Sequence, residues 1–277
     1  MATLIPMLQY SLAQKDPLLA NETKRIILKE ALQAYVLDYL YNHADYRRLN
    51  FYGGTCLHVV YGLNRLSEDI DLDNSLGIEL GMLAEDLIAH FERTFGYTRA
   101  TTKSQLGENG ILRITLKFPV LNELSLSAHA NEALHLKVEV SQHKQVAVIL
   151  KTPVFVYGRS FVAAHFSLET MMAGKMLACL ERNFQRGRDG AAIKGRDFYD
   201  LLWFMQKNVR PLEDKLAKDG TQTYTVSTAM RGLSVKIQNI KPADLAVDLN
   251  PLFEQRTFVK AWLESFHENF AELFKKY

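Results

Sequence analysis

Apolar and polar positions follow two periods along the 277-residue chain, helical at both ends and alternating in a middle band, and the change of period divides the sequence. Residues 1–20 hold two prolines and little periodicity, and read as an arm. From Asn21, a candidate N-cap, Ile26, Ile27, Ala31, Leu32, Tyr35, Val36 and Leu40 mark an amphipathic helix to about His43. A short strand at 51–52 then delivers Gly53-Gly54, and Leu57, Val60 and Tyr61 recur at helical spacing behind them. Asp69-Ile70-Asp71-Leu72-Asp73 alternates acid and aliphatic strictly, which on a strand sends the acids to one side. Leu80, Leu83, Leu87, Ile88 and Phe91 predict a helix over 76–95. Residues 97–103, 111–118, 134–140 and 146–156 read as strands, interrupted at 107–110 by glycines and at Pro153. Beyond Ser167, an N-cap with Glu169 at N2, helices are expected at 167–184, 195–207, 212–218, 227–239 and 255–275. The order predicts an α/β (α+β) protein: a mixed sheet flanked by helices over 1–160, then a C-terminal helical lobe over 161–277 that completes an active-site cleft.

An apolar content of 48% with 10% aromatic residues excludes a disordered or fibrous chain. The net charge of +2 is too mild to mark a nucleic-acid binder, so that question rests on local clustering. One cluster stands out. Arg182, Arg186, Arg188, Lys194 and Arg196 crowd a segment punctuated by Gly187, Gly190 and Gly195, against Asp189 and Asp197. It is either a solvated loop or a surface for a phosphate backbone. Cys56 and Cys179 lie inside apolar helical patterns, which suits buried thiols in a reducing compartment. No apolar run reaches membrane-spanning length and no signal-peptide pattern opens the chain, so a soluble, cytoplasmic protein is expected. His129, His135, His143 and His165 stand in no zinc-binding context.

The candidate chemistry sits between Gly53 and Asp73. A helix opening on Gly53-Gly54-Thr55 aims free backbone N–H groups and a positive dipole end at an anion. Same-side residues on a strand lie about 7 Å apart, so Asp69 and Asp71 can converge on divalent cations. Taken singly, a glycine pair is a turn and an acidic alternation is a wet edge strand; their order and spacing favour chemistry. An EF-hand is excluded, because Asn74 stands where its glycine belongs and Leu80 where its glutamate does. No P-loop or GxGxxG occurs. In the later strand Glu139 alternates with Lys137 and His135, either to meet the acidic strand or to pair with Lys137 in solvent. Lys175, Cys179 and Arg182 share one helix face, where Lys175 among Met171, Met172 and Leu177 needs an anionic partner or a route to water.

Gly53-Gly54-Thr55 followed by Arg65-Leu66-Ser67-Glu68-Asp69-Ile70-Asp71 resembles the GGT…RxSxDxD signature of the DNA polymerase β-like nucleotidyltransferase superfamily. With Lys175 and Asp197 it resembles, more narrowly, the AbiEii-type toxins of abortive-infection and toxin–antitoxin systems. The resemblance implies a nucleotidyltransferase using a nucleoside triphosphate with Mg²⁺ or Mn²⁺. Asp69 and Asp71 would hold the metals and Glu139 would be the third metal carboxylate. Gly53, Gly54 and Thr55 would bind the phosphates, with Arg65 and Ser67 bracing the loop or touching phosphate. Lys175 would neutralise the triphosphate and Asp197 would be catalytic, positioning Lys175 or the nucleotide, a role Asp200 could share. The acceptor implied is the 3′ end of tRNA, and the partner a cognate antitoxin. A protein-modifying transferase that places AMP or UMP, and a nucleotide-binding module without turnover, stand as alternatives.

Overall fold

In a computed structural model that describes residues 3–107, 110–142, 144–182 and 193–277, the two periods become two units. One comprises residues 1–144 and 150–165, the other 145–149 and 166–277.

The first unit is built on a seven-stranded mixed sheet. Helix α1 (Leu4–Ala13) and helix α2 (Asn21–Asn42) precede strand β1 (Asn50–Tyr52), helix α3 (Gly53–Tyr61), strand β2 (Asp69–Asp73) and helix α4 (Leu83–Phe95). Strands β3 (Thr101–Leu106), β4 (Leu112–Phe118), β5 (Leu134–Ser141), β6 (Ile149–Val156) and β7 (Arg159–Phe166) complete it, in the spatial order β3-β4-β5-β2-β1-β7-β6. The acidic strand is central: β2 runs antiparallel to β1 and parallel to β5. Ile70 and Leu72 are fully buried, as are Leu136, Val138 and Val140 on β5, each such side chain contributing about 1.5–3 kcal/mol. Burying the aliphatic side fixes the register, so the acids are carried on the other face.

The second unit is helical: α5 (Leu168–Glu181), α6 (Gly195–Gln206), α7 (Glu213–Lys218), α8 (Val226–Gln238), α9 (Pro242–Leu249), α10 (Arg256–Glu264) and α11 (Phe266–Phe274). Ser167 caps α5, its hydroxyl accepting from the Thr170 amide at 3.3 Å. Phe198, Leu201, Leu202, Phe204 and Met205 make α6 the core helix, and α5, with Met172, Ala173 and Met176 buried, packs against it.

Several expectations are corrected. The arm forms α1, with Leu4 and Leu8 buried; Pro6 is tolerated because it lies in the first helical turn, where no intrahelical N–H bond is lost. The helix expected over 76–95 starts only at Leu83, since the Asn74 side chain closes the preceding turn, accepting from the Ile78 amide at 2.8 Å and donating to its carbonyl at 2.9 Å. Pro153 sits inside β6 without ending it, which an outermost strand permits. Strand β7 was not expected at all; Tyr157 and Gly158, at φ 47° and 69°, form the two-residue turn that creates it. Helix α9 was likewise missed, and the helix expected over 255–275 breaks at Ser265 into α10 and α11.

Candidate active site

Strand β1 ends beside the acids. Tyr52 pairs with Asp71 in the β1–β2 ladder, so the chain turning out of β1 passes directly over that carboxylate. Gly53 takes φ 78°, and a Cβ there would fall on the Asp71 carboxylate. At Gly54 a Cβ would lie 2.6 Å from an Arg65 guanidinium nitrogen and 3.0 Å from the Ser67 hydroxyl. Only a chain without side chains at both positions can start α3 here, and its first backbone N–H groups open next to Asp71.

Three predicted phosphate ligands turn inward. Thr55 is fully buried, its hydroxyl donating to the Asp69 carbonyl and accepting from the Ser67 hydroxyl at 2.8 Å. Arg65 is buried too, packed over Gly54 with one guanidinium nitrogen donating to the Leu66 carbonyl at 2.9 Å. Thr55, Arg65 and Ser67 thus meet around the first turn of α3. They tie the start of α3 to the loop that leads into β2.

Asp69 and Asp71 are half-buried on one face of β2 and register with Lys137 and Glu139 on β5. The Glu139 carboxylate is drawn elsewhere: Arg113, its register partner on β4, donates to it at 3.1 Å. Among the described residues no three His, Cys, Asp or Glu side chains converge as a metal cluster, so the three-carboxylate set is not assembled here. Arg113 was missed, although the alternation of β4 places it and Lys117 on one side. The Asp69/Asp71 pair still fits a hard divalent ion, being oxygen donors set against a side-chain-free turn. Asp73 has a structural role, buried and accepting from the Asn50 amide and the Ser75 backbone at 3.2 Å each. Cys56 is buried as expected; burial pushes its thiol well up, and the charge of Asp71 adds to the effect.

In the helical unit, Lys175 lies 2.7 Å from Asp197 and 2.9 Å from Asp200. Arg182 reaches the second oxygen of Asp197 at 3.2 Å. Burial alone would raise the Asp197 carboxyl, but Lys175, Arg182 and Arg196 outweigh it and hold the group at about 2. Two buried carboxylates thus supply the anionic partners that a lysine among methionines requires. Burial and the neighbouring Arg196 and Arg182 push the Lys194 ammonium down. Arg186, Arg188, Asp189, Gly187, Gly190 and His143 lie outside the described residues.

A helix that begins on two glycines, seated against an acid of the adjoining strand, is the centre of this site, and the family matched by residues 36–276 makes the molecule a nucleotidyltransferase. Two solved structures share the fold: JHP933 from Helicobacter pylori, 17% identical at a TM-score of 0.52 over 91% of this chain and 92% of that one, and a second H. pylori chain. That one, described as a candidate nucleotidyltransferase, is 17% identical at a TM-score of 0.50 over 89% and 93%. Among curated proteins there is no match. Residues 36–276 match the family of the nucleotidyl transferase AbiEii toxin, of type IV toxin–antitoxin systems, and the chain belongs to that family. Membership implies a nucleoside triphosphate substrate and an antitoxin partner. No helix among the described residues is long and apolar enough to cross a membrane.

Proposed function

We propose that the protein transfers a nucleotide from a nucleoside triphosphate to a hydroxyl at the 3′ end of tRNA in the cytoplasm, with Mg²⁺ or Mn²⁺, and so blocks translation until a cognate antitoxin counters it. The observation that carries this reading is the seating of Gly53 against Asp71, which sets an anion-binding helix start beside carboxylates suited to a divalent ion. Asp69 and Asp71 would hold that ion; when bound, it makes an acceptor hydroxyl more acidic and offsets charge on the leaving pyrophosphate. The Gly53 and Gly54 amides orient the triphosphate tail through fixed dipoles, which cost no reorganisation as charge develops. Thr55, Ser67 and Arg65 keep those amides in place. Glu139 completes the acidic set only by leaving Arg113, which makes it the weakest of the assigned ligands. Asp197 and Asp200 fix Lys175 within the helical unit. The basic residues Arg182, Lys194 and Arg196 favour RNA as the acceptor.

The test is incubation with each labelled nucleoside triphosphate, Mg²⁺, tRNA and cell lysate. Label on the tRNA 3′ end supports the proposal. Label on protein replaces it with the protein-modifying alternative, and nucleotide binding without transfer leaves a binding module.

A further inference from the structure

Glu30 and Gln33, on one side of α2, grip Ser67 by its backbone. The Glu30 carboxylate accepts from the Ser67 amide at 3.1 Å. The Gln33 side-chain amide donates to the Ser67 carbonyl at 3.1 Å. Both side chains are buried, where a carboxylate is costly unless its bonds are satisfied. The Glu30 oxygen that takes Ser67 also lies 3.2 Å from His58 Nε2 on α3, and Tyr157 donates to the other oxygen at 3.5 Å. The second His58 ring nitrogen stands 2.6 Å from the Leu63 carbonyl. One residue before Glu30, Lys29 pairs with Glu68 at 2.9 Å.

One buried carboxylate therefore joins three pieces: α2, the helix that starts on Gly53, and the residue two places before Asp69. Displacing reacting groups by about 1 Å can cost on the order of 100-fold in rate, and a strand advances about 3.3 Å per residue, so a loosened Ser67 is enough to spoil the acids' placement.

We infer that Glu30 and Gln33 are positioning residues for nucleotidyl transfer, acting through Ser67 to hold Asp69 and Asp71 against the glycine turn of α3. This rests on the two-acid reading proposed above. The test compares Glu30→Ala, Glu30→Gln and Gln33→Leu with Leu28→Ala, a fully buried apolar control on the same helix. Transfer kinetics, Mn²⁺ affinity of the protein alone by electron paramagnetic resonance, and Tm are measured for each. Glu30→Ala and Gln33→Leu are expected to lower kcat roughly 10- to 100-fold with the nucleotide KM within about threefold, and to weaken Mn²⁺ binding about tenfold. Glu30→Gln keeps an oxygen for the Ser67 amide and should recover part of both. Leu28→Ala should lower Tm as much or more yet keep Mn²⁺ affinity and kcat. Wild-type kcat and Mn²⁺ affinity in the clamp variants, or equal losses in Leu28→Ala, overturn the inference. In either case an active wild type and an inactive Asp69→Asn leave the two-acid reading standing; a wild type that neither transfers nor binds Mn²⁺ removes both.

Discussion

At Gly53 two demands meet: a left-handed backbone and a carboxylate occupying the place of a side chain. Gly53→Ala should therefore cost about 1–3 kcal/mol of stability and also push Asp71 aside. The expected outcome is a lowered Tm with transfer cut at least 100-fold, an estimate in line with losses from removing one aligned group. Asp71→Asn separates the two effects, because the amide keeps the shape and loses the charge. It should lose transfer by about two to three orders of magnitude while Tm stays near wild type, and full activity would end the two-acid proposal. The glycine pair and the alternating acids could be read from the chain because backbone geometry alone dictates what they do. The inward turn of Thr55 and Arg65 could not, since a polar side chain's direction is set by partners distant in sequence, here Ser67 and the Asp69 carbonyl for Thr55 and the Gly54 backbone for Arg65. Glu139 shows the same limit: the alternation of β5 places it, but its partner is Arg113 across the ladder.

The strands β2, β4 and β5 were readable because one buried face fixes each of them, and α2 because its apolar spacing is helical, although residues 30–37 are buried on every side. The elements missed carry weak stripes: β7 is built on Ala163 and Ala164, and α9 is only eight residues long. The pairing of α5 with α6 follows from the need of Lys175 for an anion and from the resemblance that sets Asp197, or Asp200, beside it; both carboxylates reach the lysine. Replacing that lysine by methionine should leave Asp197 and Asp200 without their shared ammonium and cost about 3–5 kcal/mol, read from urea denaturation near pH 7. The acid side of the same clamp gives a pH dependence. Asp197 is held at about 2, below its ordinary 3.8, so its contribution is fully present above the ordinary value and is lost as pH falls towards 2. That contribution is about 2 kcal/mol. Wild-type protein should lose it between pH 4 and pH 2, whereas Asp197→Asn should show a flatter profile over that window; identical profiles would refute the assignment.

A ligand that binds only the folded chain stabilises it by mass action, by about 2.7 kcal/mol at 100 times Kd, equivalent to a Tm rise of roughly 5–10 °C for a chain of this size. A nucleoside triphosphate with Mg²⁺ should therefore raise Tm, and Asp69→Asn should abolish the rise. Because the chain has two units, one midpoint can hide which of them responds. Hydrogen exchange resolves this by peptide. Nucleotide with Mg²⁺ should slow exchange across 51–73, where the α3 amides and the β2 acids lie. Slowed exchange at 168–181 as well would support the triphosphate role assigned to Lys175, since a salt-bridged lysine can reach an anion only by sharing donors now given to Asp197 and Asp200. Protection confined to 51–73, with Lys175→Met leaving nucleotide affinity unchanged, would reduce Lys175 to a structural residue of the helical unit and leave the phosphate work to the glycine turn.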